Sequence, residues 1–130
     1  MTTDQEVFDA LLRRFSIDRD KFTEYRDYCQ AQVDGAETPT DGWGSIIKSC
    51  KAEADVCAVI LTDLFGFIHG GANPKDAIQK ALDNTEDLVD RMMDVSDVGI
   101  SAISHHVAFR RALLREHLEY MENLQVMEGV

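Results

Sequence analysis

The chain of 130 residues carries 24 acidic against 13 basic side chains, a formal net charge of −11, with 45% hydrophobic and 28% charged residues. That balance describes a single folded domain able to bury a core rather than a disordered tail, and so acidic a surface disfavours direct contact with nucleic acid. The longest apolar run, "VCAVILTDLFGFI" at 56–68, contains Asp63 and is too short to span a bilayer, so no membrane partner is expected.

The chain begins "MTTDQEVFDALL", with neither a basic stretch nor a long apolar one, so no secretory signal is read and a cytoplasmic location is expected. "TDQE" at 3–6 is a capping box, with Thr3 as cap and Glu6 three residues on. Val7, Phe8, Leu11, Leu12 and Phe15 follow at helical spacing. Ser16 or Asp18 reads as a restart, after which Phe22, Tyr25, Cys29 and Val33 line a second helix. The turn-rich "DGAETPTDG", 34–42, is a loop. A third, long helix is expected from about Trp43 to about His69, with Ile47, Cys50, Ala54, Cys57, Leu61, Leu64 and Ile68 on its main stripe. Val56, Val59, Ile60, Phe65 and Phe67 widen that stripe until the second half is apolar nearly all round, as a central helix requires. Gly70-Gly71 ends it.

"NPKD" opens a fourth helix, with Asn73 as cap, Pro74 in the first turn and Asp76 near the positive end. Ile78, Leu82, Val89 and Met92 or Met93 form its core face. "DVSDVG", 94–99, is a break, and a fifth helix turns Ile103, Val107, Leu114, Leu118, Met121 and Leu124 inward. The expected fold is all-α, a single-domain bundle of about five helices spanning 1–130.

Cys29, Cys50 and Cys57 form no C-x-x-C. Cys50 and Cys57 are seven residues apart on one predicted helix, roughly 10 Å along its axis and too far to bridge. Both are expected buried and reduced, which suits a reducing compartment.

"SHHVAFRRALLREHLEYMENL", 104–124, concentrates His105, His106 and His117. Helical metal ligands pair three or four residues apart, and none of these histidines has a histidine or carboxylate there. His106, Arg110 and His117 read as the polar side of a helix. No G-x-S-x-G or P-loop occurs, and "GFIHGGAN" is a helix end rather than a phosphate cradle. No catalytic residue, metal ligand or cofactor is assigned on these patterns.

One stretch of about 35 residues, "EADVCAVILTDL…GANPKDAIQKALDNTEDL", resembles the second half of the all-α nucleoside triphosphate pyrophosphohydrolases, the MazG-like proteins. In that family E-x-x-E and E-x-x-D pairs hold Mg²⁺ against a triphosphate. Asp55 would match the last acid; Ala52 stands three residues before it, Glu53 is out of phase, and the upstream pair falls on Glu24 and Asp27. The resemblance implies a Mg²⁺-dependent nucleotide hydrolase, an alternative to the leading expectation.

That leading expectation is a non-enzymatic interaction protein (an adaptor, inhibitor or assembly factor). Asp83, Asp87, Asp90 and Asp94, with Glu86 beside them, fall on one side of the fourth helix. Like charges at this spacing cost a few tenths of a kcal/mol each, and the row suits a basic protein partner. In the last helix Arg110, Arg111 and Arg115 precede Glu116, Glu119 and Glu122, an order that opposes the helix macrodipole. Two antiparallel copies would pair the halves, so a homodimer on Arg110, Arg111, Leu114, Arg115, His117, Leu118, Glu119 and Glu122 is expected, flanked by Phe109 and Tyr120.

Overall fold

A computed structural model describes residues 2–36, 42–93 and 100–128. Five helices follow in order, α1 (Asp4–Asp34), α2 (Trp43–His69), α3 (Pro74–Asn84), α4 (Leu88–Met93) and α5 (Ile100–Glu128), and no strand occurs among the described residues. The all-α bundle is as expected. Its elements are divided differently.

The two helices expected before the first loop are one. Ser and Asp signal a helix start only when the side chain accepts from a free backbone N–H. Asp18 instead bonds Arg14 Nε at 2.8 Å and Arg110 Nη1 at 2.7 Å, so α1 runs through it. The true start is the capping box: Thr3 Oγ1 accepts from the Glu6 backbone N–H at 3.2 Å. At the other end of the hairpin Gly42 precedes α2 with φ of 99°, a conformation open to glycine at little cost.

Where one helix was expected beyond Asn73, there are two. Asn73 caps α3 by accepting from Asp76 N–H at 2.9 Å, as expected. The helix then stops at Asn84. Thr85 Oγ1 donates to the Leu82 carbonyl at 2.6 Å, and Thr85 N–H reaches both Ala81 and Leu82 carbonyls. The chain crosses 85–87 as a turn and re-enters helix at Leu88, which is 1% exposed.

The α2 boundaries fall where spacing placed them. Gly71, at φ 99°, closes the helix, with N–H groups of Gly70, Gly71 and Ala72 capping the carbonyls of Gly66, Ile68 and Phe67. The all-round apolar character does not translate into all-round burial. Phe65 is 53% exposed and Val59, Phe67 and Ile68 are half-buried, while Cys50, Val56, Cys57, Ile60, Leu61 and Leu64 are buried.

One core runs through the bundle. Phe8, Leu11 and Phe15 of α1 meet Val56, Ile60 and Leu64 of α2, Ile78 and Ala81 of α3, Leu88 and Met92 of α4, and Ile103, Val107, Leu114 and Met121 of α5. α1 and α2 form an antiparallel hairpin. On α5, His106 reaches Ser49 and Glu53, and Arg110 reaches Glu53 and Asp18. Further along, His117 and Tyr120 lie beside Val7 and Ala10. So α5 runs alongside α2 in the same direction and against α1. No described helix is long and apolar enough to cross a membrane.

Candidate functional site

At mid-bundle three core stripes each carry a charge. Asp18 follows Phe15 by three residues. Glu53 lies three after Cys50 and four before Cys57. Arg110 lies three after Val107 and four before Leu114. Helical period turns all three toward the interior, where an unpaired charge is strongly disfavoured. They bury together. Arg110 is 1% and Glu53 3% exposed. Arg110 Nε donates to Glu53 Oε1 at 2.7 Å, its Nη2 to the same oxygen, and its Nη1 to Asp18 Oδ2 at 2.7 Å. His106 Nδ1 bonds Glu53 Oε2, and its Nε2 lies 3.3 Å from Ser49 Oγ. The guanidinium carbon sits 5.2 Å from the Phe15 ring centre and 5.0 Å from that of Phe109, a cation between two aromatic faces.

Burial alone would push both carboxyls up. The hydrogen bonds from His106 and Arg110 to Glu53 outweigh it and hold that carboxyl below its ordinary value near 4.5. Asp18 is likewise held below 3.8, by Arg110 and Arg14 against the effect of burial. Each acid therefore stays ionised at neutral pH, and the cluster is an ion network rather than a poised proton donor.

This network overturns part of the α5 reading. Arg110 is not on the polar side of its helix, and neither it nor Leu114, 0% exposed, can face a second copy. His106 does have a carboxylate partner, on another helix. His117 Nδ1 donates to the Leu113 carbonyl of its own helix at 2.8 Å and borders a different cleft, beside α1. Of the three arginines, Arg110 is met within the chain, by Asp18 and Glu53.

The remaining candidates converge. Asp83 and Glu86, from the end of α3 and the turn after it, share a groove of about 340 Å³ with Arg111, Arg115, Leu118, Glu119 and Glu122 of α5. Residues assigned separately to partner binding and to dimerisation thus line one surface feature. Asp83 takes the Gln79 amide at 3.2 Å. Arg111 Nε is buried without a hydrogen-bond partner among the described residues. Asp87 lies 3.4 Å from Arg91 Nε, and Arg91 Nη2 is 4.0 Å from Asp63. Asp90 is exposed on α4. Because the helix breaks at 85–87, the acids do not form the straight row that spacing implies: Asp83 and Glu86 line the groove, and Asp87 and Asp90 do not. Asp94 lies outside the described residues.

The residues matched to the pyrophosphohydrolase pattern are dispersed. Glu24 and Asp27 are exposed, with Asp27 bonding Arg26 at 2.9 Å, and Asp55 is half-buried. Among the described residues no three His, Cys, Asp or Glu side chains gather into a group that could hold a metal ion.

Compared with known proteins, the chain matches no family model, no curated protein and no solved structure.

Proposed function

We propose that the chain is a non-enzymatic interaction protein that docks a basic segment of a partner protein along the acidic groove between α3 and α5. The observation that carries this is the assembly, from distant parts of the sequence, of Asp83, Glu86, Glu119 and Glu122 on one groove. Asp87 and Asp90, exposed on the turn and helix that follow Glu86, add to the negative field of a molecule of net charge −11. Such a field speeds the encounter with a cation and repels nucleic acid. Leu82 and Leu118 supply apolar contact in the groove, and its four acids outnumber the two arginines, Arg111 and Arg115, that share it. The buried thiols Cys29, Cys50 and Cys57 fit a reducing, cytoplasmic setting.

The test compares wild type with an Asp83→Asn, Glu86→Gln, Asp87→Asn, Asp90→Asn variant. All four positions are exposed, so the variant should keep its fold. Both are titrated with a lysine-rich helical peptide and used to capture partners from the source cells. Association with the peptide should slow about tenfold in the variant and in high salt, and basic proteins should drop out of the captured set. Equal capture by both proteins, with no salt dependence, would remove the groove from consideration.

A further inference from the structure

Beside the buried ion network lies a second cleft, of about 540 Å³, between α1 and α5. Its walls are Phe22 and Tyr25 of α1 and Phe109 of α5, its floor is Glu53 with Arg110, and Lys21 borders it. We propose that this cleft binds a small aromatic carboxylate.

Volume comes first. Pockets for small organic molecules run from about 300 to 1,000 Å³, so a two-ring ligand fits. Chemistry of the walls comes second. Tyr25 is 49% and Phe109 46% exposed, rings held at a concave surface instead of in the core. Phe109 is kept there by its stack on Arg110, whose position two carboxylates fix. A flat apolar body can lie against these rings.

Charge decides the rest. Asp18 and Glu53 are the acids of this cleft, and both are spent, on Arg14, Arg110 and His106. Lys21 takes part in no ion pair among the described residues. With Arg14, Lys21 and Arg110 against Asp18 and Glu53, the cleft carries a net positive charge within a strongly acidic molecule. It therefore favours an anion over a cation. Arg110 is fully engaged by Asp18 and Glu53 and Arg14 gives its Nε to Asp18, which leaves the Lys21 ammonium as the cation without an ion pair among the described residues, a point charge suited to a monoanion. The carboxylate would meet Lys21 and the ring would lie between Tyr25 and Phe109. This site is separate from the acidic groove, and the two stand or fall independently.

The probes are 1-naphthoate and 1-naphthylmethylammonium, titrated into the full chain by calorimetry and followed by NMR. Saturable binding of naphthoate is expected, with shifts at Lys21, Tyr25 and Phe109 and with the ammonium about tenfold weaker or more. Lys21→Glu, an exposed change, should weaken naphthoate by a similar factor while circular dichroism stays unchanged. Tyr25→Ala should weaken it too, and serves as the wall variant because Phe109→Ala would also disturb Arg110. Equal binding of the two probes overturns the proposal. So do naphthoate binding indifferent to Lys21→Glu, shifts confined to another face, or no saturation at millimolar probe.

Discussion

Arg110 is the side chain on which most depends at the scale of single residues. A buried ion pair contributes little net stability against well-packed apolar residues, because desolvation offsets the attraction, but removing one partner strands the other. Arg110→Ala should therefore cost about 3–5 kcal/mol, read as a lower denaturant midpoint. Arg110→Met combined with Glu53→Leu should recover much of it. A single-variant loss below about 1 kcal/mol would mean that water already satisfies the carboxylates. The same carboxylates set the acid limb of stability. Folded Glu53 and Asp18 lie below their ordinary values, so they add stability above the unfolded values near pH 4 and lose it as pH falls through the folded ones. Acid unfolding of Glu53→Gln should show a shallower dependence below pH 4 than wild type; identical slopes would place the acid sensitivity elsewhere. Burial pushes the Cys57 thiol up to about 12, and Cys50 also rises through burial and the neighbouring Cys29. The thiolate is the reactive form, so a thiol reagent at pH 8 should modify the native chain far more slowly than the urea-unfolded one. Rapid modification of all three cysteines would contradict their burial.

Between residues and the whole bundle stand the helices, whose ends were easier to read than their interiors. Thr3, Asn73 and Gly71 act as the caps their spacing suggests. Thr3→Ala and Asn73→Ala should each cost about 1 kcal/mol, and the second should loosen α3 and with it the Asp83 side of the groove. Local hydrogen exchange in α3 checks this; uniform loss across the chain would mean that the cap only registers in global stability. Interiors depart from the pattern where a polar residue has two possible uses. Asp18 could cap a helix or join an ion network. Thr85 could continue a helix or end one by bonding Leu82. Local pattern does not distinguish these, because the deciding partner (Arg110 for Asp18, the packed Leu88 beyond Thr85) is distant or contributed by the next element.

For the molecule as a whole, charge sets the behaviour in solution. A net −11 on a chain this small repels itself. Moderate salt screens such repulsion over about 10 Å and leaves buried pairs nearly untouched. Thermal stability should thus rise from low salt to physiological salt, and the Asp83→Asn, Glu86→Gln, Asp87→Asn, Asp90→Asn variant should rise less. A fall with salt would show that exposed pairs such as Arg19–Asp20 and Arg91–Asp87 outweigh the repulsion.

The all-helical class, the α2 boundaries, the caps and most core positions were determined by sequence alone, because helical period and capping are local and repeat every few residues. The acidity that suggests a basic partner was legible in the same way. Tertiary structure decided the rest. Glu53, Asp18 and Arg110 each interrupt an apolar stripe, and two acids and one base at core register are a sign of internal pairing. Which charge meets which depends on the relative height of α1, α2 and α5, and no single-helix pattern encodes that. The groove arose the same way: Asp83 and Glu86 approach Glu119 and Glu122 only because α3 packs on α5, and Arg110 leaves the surface only because two other helices supply its carboxylates.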